Sequence, residues 1–399
     1  MNRVAYVSTD PGVPVFGRKG ASVHVQAVVR ELLARGAEVH LLAARVGGDL
    51  PRGLDGVVLH ELPRISGTPG PEREASARAS ADAAAGVLAR LHQEVALDLV
   101  HERYSLWSDA AMTWAQQHGV AGVLEVNAPL IDEQAEHRVL ADRAGAEEIA
   151  TRAFDAASSV VTVSEPVARW VLERTSGGTG VHVIANGVDT RFIRPRGDEL
   201  GDPSGFTVGF VGTLKPWHGV EVLLEAFARL ARSDGATRLR VVGDGPQREA
   251  LVEQAEGLGV ADRVDLVGAV APEDMAAELA AMDVAVAPYP RLPDFYFSPL
   301  KIYEYLAAGL PVVASDIGPC SEILDGGGLG VLVTPGDATE LAAVLAGLRS
   351  DPVMRADLGR AGRRAAVARH DWSLVVSRIL TTVPTRAPSL ADDLLGRIA

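Results

Sequence analysis

Apolar residues along this chain alternate between short continuous runs and longer stretches with helical spacing. In the first half the runs are Val4–Ser8, Val39–Ala43, Val57–Glu61, Leu97–His101, Ala121–Val126, Val160–Val163 and Val181–Ile184. Short unbroken runs of this kind predict strands covered on both faces. Between them, helical spacing predicts helices over Val23–Arg35, Glu72–Glu94, Ser108–Gln117, Val139–Ala157 and Glu165–Glu173. A polar stretch bearing Pro and Gly, Arg194 to Gly205, then reads as a linker. The scheme repeats after it, with strands at Thr207–Val211, Arg238–Val242, Arg263–Val267, Asp283–Ala287, Pro311–Ala314 and Gly330–Val333. Helices are expected at Gly219–Ser233, Gln247–Gly257, Pro272–Ala281 and Pro299–Ala308, with two or three more after Asp337. Such alternation demands parallel sheets with helices on both faces. The expected architecture is therefore α/β, with two doubly wound Rossmann-like domains (1–195 and 205–380) facing across a cleft. A tail over 381–399 carries a short amphipathic turn at Leu390–Ile398, expected to pack near the first domain or fray. Ligands in open α/β sheets lie beyond the carboxyl ends of the strands.

Composition narrows the function classes. The 399 residues are too many for one hydrophobic core. A 47% hydrophobic and 23% charged content fits a globular enzyme and excludes a disordered chain. The net charge of −14 is shared by both halves, which argues against a nucleic-acid partner. Cys320 stands alone, so no internal disulfide forms, and its expected role is a small buried side chain. No apolar run reaches the roughly 18 residues of a membrane span. The sequence starts directly on a strand-like segment, Arg3 to Val7, without a signal peptide pattern. A cytoplasmic protein, monomer or homodimer, is expected.

Candidate chemistry concentrates where strands meet helices. In Asp294 to Ser315, DFYFSPLKIYEYLAAGLPVVAS, Pro299 suits a first helical turn because its missing N–H has no partner there anyway. The helix start offers unpaired backbone N–H groups and a positive dipole end, with Lys301 one turn in, which suits a phosphate. Glu304 follows at i+3 and can accept hydrogen bonds from a sugar hydroxyl. A solvated Lys–Glu pair on an ordinary helix accounts for the same two residues. Glycine-rich turns follow three strands: Gly12, Gly17, Lys19 and Gly20; the segment VGTLKPWHG from Val211; and Gly243-Asp244-Gly245-Pro246. The first lacks G-x-G-x-x-G spacing and a suitably placed acid, which disfavours a nicotinamide cofactor. Asn186-Gly187-Val188-Asp189 reads as a tight turn.

Taken in order, these landmarks resemble the retaining GT-B glycosyltransferases of family 4, also called group 1. The resemblance runs from about Arg3 to Leu380 and rests on Lys19-Gly20, the Asn186 turn, VGTLKPWHG, the Gly243–Pro246 turn and the helix around Glu304. It implies a nucleoside-diphosphate sugar as co-substrate, bound by the second domain. By the same resemblance Glu304 would bond the donor ribose, and the amides from Ser298 to Lys301, Leu300 among them, would hold sugar and diphosphate. Val270 and its neighbours from Val267 would read the base edge. Gly243 and Gly245 would line the nucleotide pocket, and the Gly20 amide would touch the distal phosphate. Acceptor recognition falls near His101, Glu102, Tyr104 and Glu125; surface, capping or core roles remain open for these residues.

The chain departs from the family pattern at three places. The first motif glutamate falls on Tyr296, beside Phe297, with Asp294 near but out of register. The diphosphate-clamping Arg and Lys fall on Thr213 and His218, so Lys215, Lys301 and a protonated His218 are expected to supply the charge. A family histidine after the fifth strand falls on Asn127, which can still bond a sugar hydroxyl. Without an Asp-x-Asp motif at a strand end, no metal is expected. Retention then needs no enzyme nucleophile, because the departing phosphate oxygen takes the acceptor proton while lysines and backbone dipoles stabilise its charge. The acceptor would be a hydroxyl of a cell-envelope glycan, a lipid-linked intermediate or a specialised metabolite such as an aminocyclitol. A sugar-nucleotide epimerase on the same fold and a catalytically inactive sugar-nucleotide-binding homologue are the alternatives.

Overall fold

The computed structural model describes residues 2–196, 205–232, 235–293 and 295–384. The chain forms two compact units, Met1–Ile184 with Val376–Ala399, and Ala185–Val375. The division falls after Ile184 and again inside the Trp372–Thr381 helix. Most of the expected linker and of the tail with its Leu390–Ile398 turn lies outside the described residues.

The first unit is built on β1 (Arg3–Ser8), β2 (Glu38–Ala43), β3 (Val57–Glu61), β4 (Leu99–Arg103), β5 (Ala121–Val126), β6 (Ser159–Thr162) and β7 (Val181–Val183). All pair in parallel, in the order β3-β2-β1-β4-β5-β6-β7. The second unit holds β8 (Phe206–Val211), β9 (Thr237–Val242), β10 (Val264–Gly268), β11 (Val284–Ala287), β12 (Val312–Ser315) and β13 (Val331–Val333). These too are parallel, in the order β10-β9-β8-β11-β12-β13. Strand order therefore reverses beside β1 in one sheet and beside β8 in the other, and those reversals open a crevice at the carboxyl ends.

Burial on both faces explains the unbroken apolar strands. In the second unit Leu223, Leu224 and Phe227 of the Val220–Ala231 helix pack with Val208, Phe210, Val241 and Val284 on one face. Ile302, Tyr305 and Leu306 pack with Val211, Ala285, Ala287 and Val312 on the other. Each such side chain contributes about 1.5–3 kcal/mol by leaving water. The segment 185–196 belongs to this unit as well. Val188 donates to His370 O at 2.8 Å, and Arg363 reaches Thr190 O at 2.9 Å and Ile193 O at 2.8 Å.

Two helices differ from expectation. The stretch predicted as one helix over Val139–Ala157 begins at Arg143, because the Asp142 carboxylate caps it by accepting from Gly145 N at 2.8 Å. A separate helix, Leu130–His137, precedes it. Pro272–Ala281 divides into a tight turn, Pro272–Asp274, and a short helix, Met275–Ala280.

Candidate functional site

Three loops interlock beyond the carboxyl ends of β8, β9 and β11. Gly212 N donates to Val242 O at 2.9 Å and Leu214 N to Asp244 O at 3.0 Å. Gly243 sits at φ +139°, and a Cβ there would lie 1.9 Å from Gly212 O. Only glycine permits both that dihedral and that approach.

The Leu300–Ala307 helix points its start at these loops. Its Tyr305 hydroxyl accepts from Val211 N at 2.8 Å and donates to Val286 O at 3.4 Å, pinning the helix to the ends of β8 and β11. Arg363 donates to Ala307 O at 2.8 Å, placing a cation at the negative end of the helix dipole. Pro299 immediately precedes the helix.

Lys301, in the first turn, is 7% exposed. Its Nζ stands 4.2 Å from the Phe210 ring centroid and 5.2 Å from that of Tyr289. It has no hydrogen-bond partner among the described residues. Burial pushes the amine down to about 7, against a partial pull upward from Glu304. Glu304 is half-buried, and burial pushes its carboxyl up to about 7, partly opposed by Lys301. Aromatic faces hold a cation weakly compared with a paired anion, so Lys301 is a charge in want of a counter-ion.

His218 donates from Nδ1 to Thr213 O, which leaves Nε2 as a lone-pair acceptor. Burial and then the Lys301 charge lower it to about 3, outweighing the Thr213 carbonyl. The protein's own groups thus favour the neutral imidazole, whereas the expected proton was tied to a neighbouring diphosphate. Lys215 is half-buried, with Nζ 5.5 Å from the Trp217 ring centroid, and Thr213 is exposed.

The segment before the helix is aromatic. Phe295 packs edge-on against Tyr289 at 4.8 Å and against Phe297 at 4.6 Å, and Tyr296 lies against Phe297 at 4.7 Å. Asp294 lies outside the described residues. Ser298 is buried, and its Oγ accepts from Asn186 N at 3.3 Å. Leu300, Gly245 and Val270 are half-buried. Thus the structure gathers Lys301, His218, Thr213, Gly243 and Ser298 around one strand-order reversal, with Val270 on the loop after β10.

In the first unit Gly20 opens the Gly20–Ala34 helix. The four acceptor-side residues divide between two environments, because successive side chains on β4 point to opposite faces. His101 donates from Nε2 to Glu125 Oε2 at 3.1 Å. Glu125 Oε1 also meets His24 Nε2 at 2.6 Å and accepts from Asn127 Nδ2 at 3.1 Å. Burial alone would raise Glu125, but His24 and His101 outweigh it and hold the carboxyl well below the ordinary range. Tyr6 stacks on His101 at 4.9 Å. Glu102 is fully buried elsewhere, accepts from Ser108 Oγ, and is pushed up to about 8 by burial. Tyr104 packs against Phe154 at 5.3 Å and Trp170 at 6.2 Å.

His24 and Tyr6 escaped the sequence reading. Neither carries a local motif: Tyr6 reaches the cluster by pairing of β1 with β4, which stacks it on His101, and His24 by the packing of the Gly20–Ala34 helix.

The family described as "Glycosyl transferases group 1" matches residues 205–351, and "Glycosyltransferase Family 4" matches residues 18–192. The phosphatidyl-myo-inositol mannosyltransferase of Mycobacterium leprae is 34% identical over 231 residues, covering 57% of this chain and 59% of that protein. The chain spans about half the length of the curated relatives it matches. Among solved structures, sucrose-phosphate synthase from Thermosynechococcus elongatus superposes with TM-score 0.73 at 20% identity, covering 100% of both chains. The Anabaena HepE protein, solved with UDP, gives 0.69 at 20% identity, covering 96% of this chain and 99% of that one. The fold is accordingly GT-B, with two Rossmann-like units.

Proposed function

The chain belongs to the family 4, group 1 glycosyltransferases, and from that membership we propose that it transfers a glycosyl group from a nucleoside-diphosphate sugar to a hydroxyl acceptor with retention at the anomeric carbon. One observation carries the donor half: the buried Lys301 amine has no hydrogen-bond partner among the described residues and sits at a helix start beside the strand-order reversal. A diphosphate would supply its missing counter-charge, and the amides from Ser298 to Lys301 would take further phosphate oxygens. Glu304 would accept from the ribose hydroxyls, and the loops at Gly243 and Val270 would flank the nucleotide. Lys215 and Lys301 stabilise the charge that grows as the diphosphate leaves, so the reaction proceeds without a metal. The leaving phosphate oxygen takes the acceptor proton on the same face of the sugar, and no enzyme nucleophile forms a bond.

UDP in the HepE structure and the mannosyl group in the relative's name support a nucleotide-sugar donor. The acceptor is a hydroxyl of a cell-envelope glycan, a lipid-linked intermediate or a specialised metabolite. The test is a panel of nucleotide sugars with such acceptors in the presence of a chelator, with product anomers read by proton NMR. A retained configuration with full chelator resistance is expected. Inversion, or dependence on added metal, would refute the mechanism, and isomerisation of a sugar nucleotide without acceptor would indicate an epimerase.

A further inference from the structure

Glu125 is the charged centre of the first unit's polar cluster, and it is 2% exposed. A carboxylate held ionised cannot donate a hydrogen bond. The Asn127 group lying 3.1 Å from Oε1 must then be its NH2, since a flipped amide would set oxygen against oxygen. Asn127 Oδ1 is thereby turned away from Glu125, and it is buried with no partner among the described residues. His24, from the Gly20–Ala34 helix, and His101, from β4, hold the carboxylate from two other directions. Tyr6, paired with His101 across β1 and β4, stacks on that imidazole and fixes its plane.

We propose that Glu125 is a positioning residue that turns Asn127 so that its side-chain oxygen faces the substrate, making this position a reader of hydroxyl donors. This rests on the glycosyl-transfer reading above. A buried amide oxygen without a partner is costly, a penalty that a substrate O–H removes and an acceptor-only group such as fluorine or a keto oxygen does not. The hydroxyl belongs either to the donor sugar or to the acceptor.

A double-mutant cycle tests the assignment. Glu125→Gln and Asn127→Ala are each expected to lower kcat/KM at least tenfold, and the double variant should lose no more than Asn127→Ala alone. Losses that multiply would overturn the proposal, because they would show Glu125 acting independently of Asn127. A rise in the donor KM assigns the hydroxyl to the donor sugar, and a rise in the acceptor KM assigns it to the acceptor. Asn127→Asp retains an oxygen but cannot donate to Glu125, so it should lose as much as Asn127→Ala; full activity there contradicts the mechanism whatever happens to the fold of the Glu125 variant. Independently of turnover, the nitrogen-15 resonance of the Asn127 NH2 should shift on Glu125→Gln, and an unmoved resonance would count against the contact. Absence of transfer by the wild-type chain would be a failure of the functional reading, visible in the donor panel before any variant is made.

Discussion

The amine of Lys301 lies 4.2 Å above the ring of Phe210 without a hydrogen-bond partner among the described residues. Gly212 makes room for it, since a Cβ there would stand 2.9 Å from Nζ. Burying a charge in this way costs stability unless an anion arrives.

That cost depends on pH. The ordinary value of 10.5 falls to about 7 in the fold. Between those limits the unfolded chain holds the proton and the folded chain does not, so this group makes stability rise with pH across that window. Below about 7 both states are protonated and the full penalty is present. Glu304, raised from 4.5 to about 7, gives the opposite slope between those values, so the comparison is best made in a Glu304→Gln background. There, Lys301→Met should raise the melting temperature most below pH 7, by about 2–4 °C for each kcal/mol recovered. The gain should shrink toward pH 10; a gain that is flat with pH would show that Lys301 is not the titrating group.

Glu304 should matter for the nucleoside and not for the phosphates. Glu304→Ala is expected to weaken nucleoside-diphosphate binding by about 2–3 kcal/mol while leaving pyrophosphate binding unchanged. Calorimetry with both ligands separates the two. Equal losses would remove the ribose assignment.

Burial and the Lys301 charge favour the neutral form of His218, whose Nδ1 is engaged by Thr213 O. An arriving diphosphate favours its protonated form, so binding should take up protons. Titrations in buffers of differing ionisation enthalpy measure that uptake. His218→Lys should reduce it while preserving affinity at pH 8, and an identical uptake in that variant would exclude His218 as the source.

The interlocked loops can be tested through backbone alone. Gly243→Ala should destabilise by at least about 1–3 kcal/mol, the strain of its dihedral, before the clash with Gly212 O is added. Gly347, inside the Ala338–Ser350 helix, has nothing within 4 Å of an added Cβ. Gly347→Ala should therefore stabilise by about 0.5–1 kcal/mol. Chemical denaturation of both variants checks the contrast.

Strand content was legible because doubly covered strands such as Val284–Ala287 and Val312–Ser315 leave no polar alternation to misread. The Lys301 helix was legible from Pro299 and the downstream Gly309 and Pro311. The Leu130–His137 helix was not, since Ile131 is its single buried residue and gives no periodic signal. Asp142 did advertise a helix start, but the apolar pattern reaching back to Val139 masked it. Local sequence also gave no sign that His218 would favour its neutral form, because that follows first from its burial and then from the charge of Lys301 on a remote helix. The same holds for His24, which meets Glu125 only after the Gly20–Ala34 helix folds over the sheet.

The most direct measurement is calorimetric titration of the wild-type chain and Lys301→Met with the nucleoside diphosphate that scores highest in a thermal-shift screen. Saturable binding at pH 7 that weakens at least tenfold in the variant is the predicted result. Equal affinity in the two proteins would contradict the claim that this buried amine receives the donor phosphates.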